Sequence, residues 1–252
     1  MTSVLERLTI VPVSHVARES IHLVRKTINE ENPDIIAVEL CRKRLEALME
    51  REKERRSKKR KREKEKLKFS ISNIRKIGLK GLLFGMIASF IQNRIGKSLQ
   101  IEPGSEMLEA VNLALKNNKQ LVLVDQDIEV TLKKLSKSLT FKEKLNFLID
   151  LVKGIFGIGR INFDLNKVPE EELIDEILVQ IKERYPGLYK VLVEERNNFI
   201  AKRIFNLLVR NKNSKVVAVL GAGHKKEIIN IIKELEKKLL ENKIEFSYSF
   251  SL

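Results

Sequence analysis

Tryptophan is absent from this chain of 252 residues, and aromatic side chains make up only 6% of it. Proteins that bind single-stranded nucleic acid by base stacking need more aromatic side chains than this. The only cysteine is Cys41, so no disulfide can form within the chain, which is typical of a reducing compartment. We therefore expect neither a base-stacking platform nor a disulfide-stabilised domain, and we expect a cytoplasmic location.

Long hydrophobic runs are also missing. The longest, IGLKGLLFGMIASFI at 77–91, is interrupted by Lys80 and is shorter than the roughly 20 residues that a membrane-spanning helix needs. The opening MTSVLERLTIVPV lacks the basic region and long apolar run of a signal peptide. We expect no transmembrane segment and no secretory signal. A buried helix is the favoured account of 77–91, and a helix lying in a membrane interface is the alternative.

Positive charge is abundant, with a formal net charge of +15. The basic segment, residues 51–66 (REKERRSKKRKREKEK), holds eleven Lys or Arg and four Glu. Such a segment can attract nucleic acid or anionic lipid. Interleaved glutamates are unsuited to a phosphate-binding arm, so a solvated helical insertion is favoured and nucleic-acid binding is the alternative. Abundant Lys, Glu and Ile are typical of thermophile proteins.

Apolar β-rich runs at 5–13, 35–38, 120–124 and 215–220 predict strands, and the alternation at 244–250 predicts a last, half-exposed strand. Helical periodicity lies between them, including 17–31, 128–138, 140–155, 169–184, 188–210 and a helix to about 241, with Ser105 as the N-cap of 106–117. Strand, helix and strand in the first 38 residues form a βαβ unit. We predict an α/β fold: a single domain over 1–252 with a mostly parallel sheet and helical insertions at 41–103 and 128–211.

Polar residues follow the ends of the predicted strands, which is where open α/β sheets bind ligands. The first strand ends at His15, the second at Glu39, the third at the sequence Asp-Gln-Asp (125–127), and the fourth at Gly-Ala-Gly-His (221–224). The chain has three histidines, and two of them stand here. Glycines at 221 and 223 predict a tight turn with close backbone approach to a ligand. The N-terminus of the helix predicted to follow this turn would favour the binding of an anionic group.

His15, Glu39 and His224 are the ligand types of a divalent transition metal such as Mn, Co or Zn. With an open position, such an ion can supply a water nucleophile. Structural alternatives stay open for each residue: His15 as a loop histidine bonded to backbone, His224 as an exposed first-turn histidine, and Glu39 in a buried ion pair with Arg44. Because an unpaired buried carboxylate is costly, Glu39 is expected to meet Arg42, Arg44, a metal or a protonated neighbour.

Four blocks resemble the TraB/PrgY family in order along the chain: PVSH with PDIIAVELCRKRLEAL, PGSEMLEAVNLALKNNKQLVLVDQDIEVTL, LVEERNNFIAKRI and VVAVLGAGHKKEI. The family positions that this resemblance carries over are His15, Glu39, Cys41, Arg44, Glu106, Asp125, Asp127, Glu195, Arg196, Asn197, Gly221 and His224. The sequence departs from the pattern at Pro12, where the family has Gly, and at Gln126, where it has Arg. It also has Lys225 and Lys226 after the second histidine motif.

The resemblance implies an α/β fold shared with Tiki proteases and the EreA and ChaN groups, and a metal-dependent hydrolase acting on peptides. His15, Glu39 and His224 would hold the metal, and Glu106 would be a second carboxylate acting as general base or ligand. Both Arg44 and Arg196 would bind a substrate carboxylate or an oxyanion, and substrate contacts would come from Asn197, Gly221 and Gly223. The alternatives are a non-catalytic peptide or anion binder, and a nucleic-acid or membrane-surface protein using the basic segment. Homo-oligomer formation stays open.

Overall fold

The computed structural model describes residues 3–14, 18–61, 104–155 and 171–249. Within these ranges the strands are β1 (Leu8–Val13), β2 (Ile35–Val38), β3 (Gln120–Leu123) and β4 (Val216–Gly221). They form one parallel sheet in the order β1-β4-β2-β3. The predicted α/β fold with a mostly parallel sheet is confirmed. The last strand lies between the first two, an order that strand periodicity does not predict.

The central strands are more apolar than the edge strands. Every residue of β2 and β4 is buried, whereas β1 and β3 are largely half-buried. This agrees with the rule that strands covered on both faces are continuous apolar runs. Pro12 pairs with Leu220 and stands in an edge strand, the position where a residue without a backbone N–H is tolerated. The departure from the family's glycine therefore fits the sheet.

Helices account for most of the remaining described chain. Before β3 they are α1 (Arg18–Glu31), α2 (Arg42–Lys61) and α3 (Ser105–Lys116). Between β3 and β4 they are α4 (Ile128–Ser138), α5 (Phe141–Ile155), α6 (Glu171–Arg184), the short α7 (Pro186–Tyr189), a π-helical turn (Lys190–Glu194) and α8 (Glu195–Arg210). A 3-10 turn (Ala222–His224) joins β4 to α9 (Lys225–Ser249).

Alternate residues of the central strands face two separate cores. Ile36, Val38, Val217 and Val219 pack on one face with apolar side chains of α1 and α3. On the other face, a second set packs against α8 and α9; it comprises Ile35, Ala37, Val216, Ala218 and Leu220 from the strands with Ile200, Ile204, Ile228 and Ile232 from the helices. This two-sided burial produces three layers, helix on sheet on helix. The open end of the sheet, where the parallel strands finish, is left for polar residues.

Three local predictions are wrong. Residues 4–7 form a 3-10 turn rather than the start of β1. Ser105 is the first residue of α3 rather than its cap, because Gly104 precedes the helix with a φ of +92° in the left-handed region that suits glycine. The predicted strand at 244–250 is helical as far as Ser249, because no glycine or proline stops α9 after His224.

A buried glutamate joins α5 to α7. The Thr140 backbone N–H and hydroxyl each donate to Glu143 Oε2 at 2.8 Å, and the Gly187 and Leu188 N–H groups donate to Oε1 at 2.6 and 3.3 Å. Glu143 N–H donates back to the Thr140 hydroxyl at 3.2 Å, which completes a capping box. The Glu143 side chain therefore serves the N-termini of two helices. The Thr-x-x-Glu spacing was a signal of this cap in the sequence.

Residues 51–61 of the basic segment continue α2 as helix. The predicted apolar helix at 77–91 and the rest of the basic segment lie outside the described residues. In the described ranges, none of the helices combines the length and apolar character required to cross a bilayer.

Candidate functional site

Four strands bring their carboxyl ends to one edge of the sheet, because all of them are parallel. Glu39 follows β2 directly, Asp125 follows β3 by two residues, and His224 closes the turn after β4. Ser14 follows β1 and exchanges two hydrogen bonds with the buried Ser20 hydroxyl, at 2.9 and 3.0 Å. The next residue, His15, lies outside the described residues.

The Glu39 carboxylate is almost fully buried, with 1% of the residue exposed. Its Oε2 accepts a hydrogen bond from the Gly221 backbone N–H at 2.6 Å, and its Oε1 accepts one from Arg196 Nη2 at 2.6 Å. Both donors stabilise a negative charge that burial alone would oppose. Gly221 thus contributes its backbone to the site, in the last position of β4.

Arg196 bridges two buried carboxylates. Besides Glu39, it donates to Asp125 through Nη2 at 2.9 Å and Nε at 3.2 Å. Burial would lower the pKa of Arg196, but the charge of Glu39 and the hydrogen bonds to Asp125 outweigh burial and raise it. Arg196 extends from the first turn of α8, so this helix is locked onto the end of the sheet.

Arg44 forms its ion pair with the Asp125 carboxylate and not with the Glu39 carboxylate. Its Nη1 lies 2.8 Å from Asp125 Oδ2 and 3.5 Å from the Glu39 backbone oxygen. The expected ion pair of Glu39 with Arg44 or Arg42 is therefore wrong: the partner is Arg196, and Arg42 pairs with Glu46 on the surface. The reason is tertiary, since Arg196 comes from α8, far along the chain. Arg44 is 34% exposed and faces the cluster from its solvent side.

His224 is held in one orientation by Asn197. Its Nδ1 lies 2.6 Å from Asn197 Oδ1, which can only accept a hydrogen bond. Nδ1 therefore carries the proton, and the neutral ring has its lone pair on Nε2. The His224 side chain is 14% exposed, so it is not the exposed first-turn histidine of the structural alternative.

Nε2 of His224 lies 3.6 Å from Oε1 of Glu39, too far for a hydrogen bond. Two ligand atoms at about 2.1 Å from one ion in tetrahedral geometry stand about 3.4 Å apart. The imidazole and carboxylate pair therefore fits two positions around a divalent ion. The hydrogen bond from Arg196 is compatible with this, because ligating carboxylates are themselves hydrogen-bonded and an oxygen can accept twice.

A complete ligand set needs at least one more group. Among the residues that the structure describes, no three His, Cys, Asp or Glu side chains are grouped to hold a metal ion. The third predicted ligand, His15, falls in the gap at 15–17. The described donors thus fit part of a metal site.

Two buried amide groups at the site have nitrogen atoms without partners among the described residues, Asn197 Nδ2 and Gln126 Nε2. Asn197 is 1% exposed and Gln126 5%. The planar amide of Asn197 holds Nδ2 next to the atom that binds His224. Gln126 follows Asp125, whose Oδ1 accepts from both the Gln126 N–H and Arg196. An unpaired buried donor is costly, and its usual partner is an oxygen of a ligand or water.

The other predicted residues take several positions. Glu106 is 1% exposed in the first turn of α3, which runs antiparallel to β3 and so begins at the same edge of the sheet. Asp127 caps α4 by accepting from the Glu129 N–H at 2.8 Å, and Glu195 pairs with Lys134 on the surface. Cys41 is buried. Gly223 does not have a positive φ, so the turn needs no glycine there for its backbone angles.

Comparison with known proteins places the chain in a family. The model of the TraB/PrgY/gumN family matches residues 6–240. The chain belongs to the TraB/PrgY/gumN family.

Curated relatives of this TraB-family chain include proteins from an archaeon and from animals. An uncharacterized protein of Methanocaldococcus jannaschii is 37% identical over 231 residues, which cover 90% of this chain and 53% of that protein. Human and mouse TraB domain-containing proteins are each 26% identical over 232 residues, which cover 86% of this chain and 60% of those proteins. The chain therefore spans just over half the length of the curated relatives it matches.

Sequence patterns found most of the TraB-family residues at this edge but not their partners. Asp125 was visible as a strand-end acid and as a family position, but its place between Arg44 and Arg196 depends on α2 and α8 meeting β3. Gln126 was visible only as a departure from the family's Arg. Its burial beside Asp125 had no signal in the sequence, because it depends on packing.

Proposed function

We propose that this TraB-family chain is a metal-dependent hydrolase that acts on peptides, with its site at the carboxyl end of the sheet. The observation that carries the proposal is the fixed pair of His224 and Glu39. Asn197 accepts from Nδ1, so Nε2, which lies 3.6 Å from a buried carboxylate oxygen, is the nitrogen that the neutral ring would offer to an ion. A second group that orients a ligating histidine in this way is typical of metal sites.

His224 and Glu39 would hold the ion together with His15, and the ion would be Mn, Co or Zn, the metals that accept imidazole and carboxylate ligands. When bound, such an ion lowers the pKa of a coordinated water and supplies a nucleophile near neutral pH. The protein's own part is to fix the donors. Gly221 and Arg196 hold the Glu39 carboxylate, and Asp125 holds Arg196 in turn.

Substrate recognition is assigned to the groups around this pair. Arg44 is partly exposed and can bind a substrate carboxylate in the bidentate manner of arginine. The amide nitrogens of Asn197 and Gln126 supply donors for substrate oxygens. Glu106 lies in the first turn of α3, at the same edge of the sheet. It would be the second carboxylate of the site and act as a general base or as a further ligand.

Charge balance favours a substrate with a carboxylate. Glu39 and Asp125 are matched by Arg44 and Arg196. With Glu106 as a third carboxylate, the site has one negative charge in excess of its two arginines. The double charge of a metal ion would therefore need one further anionic partner in a poorly solvated site, and a peptide with a free C-terminal carboxylate provides it.

The test compares the alanine variants of two histidines, His224 and His22. His224→Ala should lose metal-dependent thermal stabilisation in Mn, Co or Zn and any peptide cleavage detected by mass spectrometry. His22→Ala is the matched control, because His22 is exposed on α1. Equal metal response and equal cleavage in the two variants would sink the proposal.

The second candidate, a non-catalytic peptide or anion binder, is favoured by the buried amide nitrogens of Asn197 and Gln126, which have no partner among the described residues. It predicts peptide binding that persists after chelation and no turnover with any of the three metals. Arg44→Gln should weaken that binding, while Arg42→Gln, whose side chain is 88% exposed and pairs with Glu46, should not. Calorimetry with and without chelator separates the two functions.

A further inference from the structure

Helix α5 exposes its apolar side. Phe141 is 82% exposed, Leu145 48% and Ile149 40%. These residues are four apart, so at about 3.6 residues per turn they form one stripe along the helix. We name Phe141, Leu145 and Ile149 the apolar stripe. Large apolar side chains in such an arrangement on a protein surface mark a site of contact with a membrane or another molecule.

Polar residues of α5 tie this helix to its neighbours. The buried Glu143 binds the N-terminus of α7, as described above. Further along the helix, Asn146 reaches the Arg184 carbonyl at 3.5 Å, and Asp150 forms hydrogen bonds with Arg184 and the Tyr185 hydroxyl at 2.5 to 2.6 Å. Phe147, one turn after Glu143, is half-buried. These contacts fix the orientation of α5, so the apolar stripe cannot turn inward without breaking them.

Positive charge borders the apolar stripe on both sides. Lys142 and Lys144 are exposed, and helical geometry places them on opposite flanks of Phe141 and Leu145. Neither lysine forms an ion pair with any residue in the described ranges. The acids of the first three turns are committed elsewhere, since Glu143 is buried and Asp150 is paired with Arg184. An apolar stripe flanked by free lysines is the pattern of a helix that lies on an anionic bilayer.

We propose that α5 docks on an anionic lipid surface through the apolar stripe, with Lys142 and Lys144 at the level of the headgroups. Insertion would be shallow, because no described helix can span a bilayer. A second copy of the chain is the less suitable occupant: a symmetric contact through this face would bring like-charged lysines together around it. None of the residues of the apolar stripe belongs to the group placed at the end of the sheet.

The first experiment measures binding of the full chain to vesicles by co-sedimentation. Binding to an equimolar mixture of phosphatidylglycerol and phosphatidylcholine should exceed binding to phosphatidylcholine alone, and added salt should weaken it. Replacing the apolar stripe (Phe141→Gln, Leu145→Gln, Ile149→Gln) should weaken vesicle binding about tenfold or more, because three apolar side chains are no longer transferred from water into the bilayer. The matched control replaces three exposed apolar residues elsewhere, Leu115, Val179 and Leu240, with Gln and should bind as the parent chain does.

A second measurement uses the absence of tryptophan. Phe141→Trp introduces a single reporter, whose emission should shift to the blue on anionic vesicles, while Val179→Trp should not respond. No binding of the parent chain to anionic vesicles would overturn the proposal, and so would equal binding by the stripe variant. Light scattering supplies a third refuting outcome, a dimer of the parent chain that the stripe variant dissociates. Circular dichroism of each variant checks that it is folded.

Discussion

His224 Nε2 and Glu39 Oε1 lie 3.6 Å apart at the ends of two adjacent strands, β4 and β2. The separation is held from both sides. Asn197 binds the far side of the His224 ring, and the Glu39 carboxylate is fixed by Gly221 and Arg196. A rigid pair of this kind is prepared for a shared partner, because neither side chain can relax onto the other.

Asn197→Leu should weaken metal binding by about 10- to 100-fold, because the His224 ring loses the group that fixes its tautomer and orientation. Isothermal titration with Mn, Co and Zn measures the change. Asn198→Leu is the control, since Asn198 is the next residue of the same helix and is exposed. Unchanged metal affinity in Asn197→Leu would contradict the role given to this residue.

Arg196→Leu should lower the free energy of unfolding by about 3–5 kcal/mol, because the buried Glu39 carboxylate loses its arginine and Asp125 keeps only Arg44. Urea denaturation at neutral pH measures the loss. Arg203→Leu, on the exposed side of the same helix, should stay within about 1 kcal/mol of the parent chain. A loss no larger in Arg196→Leu than in Arg203→Leu would show that the buried cluster does not need this arginine.

Glu143→Gln tests the cap between α5 and α7. Burial opposes ionisation of Glu143, but hydrogen bonds from Thr140, Gly187 and Leu188 outweigh it and hold its pKa below the ordinary 4.5. The stabilisation is therefore complete above pH 4.5 and disappears as the pH falls through the lower, folded-state pKa. We expect a loss of about 1–3 kcal/mol at neutral pH, measured by urea denaturation, and a smaller loss in acid.

The exposed Glu129, which contacts Lys43 on the surface, supplies the control for this prediction. Glu129→Gln should change the free energy of unfolding by less than about 1 kcal/mol. A loss in Glu143→Gln that stays constant from neutral pH to acid would show that the charge of the cap is unimportant.

Substitution by alanine should lower the stability at Gly187 but not at Gly223. A Cβ at Gly187 would overlap the Ser138 backbone oxygen and approach Glu143 Oε2 to 3.0 Å, so Gly187→Ala should cost about 1–3 kcal/mol or more. A Cβ at Gly223 would meet Ile174 and Leu178 at ordinary contact distances of 3.6 and 3.8 Å, so Gly223→Ala should be nearly neutral. Thermal denaturation of both variants is the measurement. Equal melting temperatures would show that the chain near Gly187 yields easily.

The sequence was most informative where a single strand or helix decides the outcome. Continuous apolar runs predicted the bounds of β2, β3 and β4 closely. For β2 and β4 the reason is that strands buried on both faces exclude polar residues along their length. It failed at 244–250, where alternation suggested a strand and the structure continues α9 to Ser249. A pattern of period two over a few residues is a weak signal where a preceding helix can continue through it.

By itself, the sequence determined which residues stand at the ends of strands, and therefore that Glu39, Asp125 and His224 share one edge of a parallel sheet. Only the tertiary structure decided which of them meet. The order β1-β4-β2-β3 brings the turn of His224 beside Glu39, and α8 brings Arg196 between Glu39 and Asp125. The physical reason is that strand ends follow from local hydrophobicity, whereas ion pairs join side chains far apart in sequence. Their partners are chosen by how helices pack across the sheet.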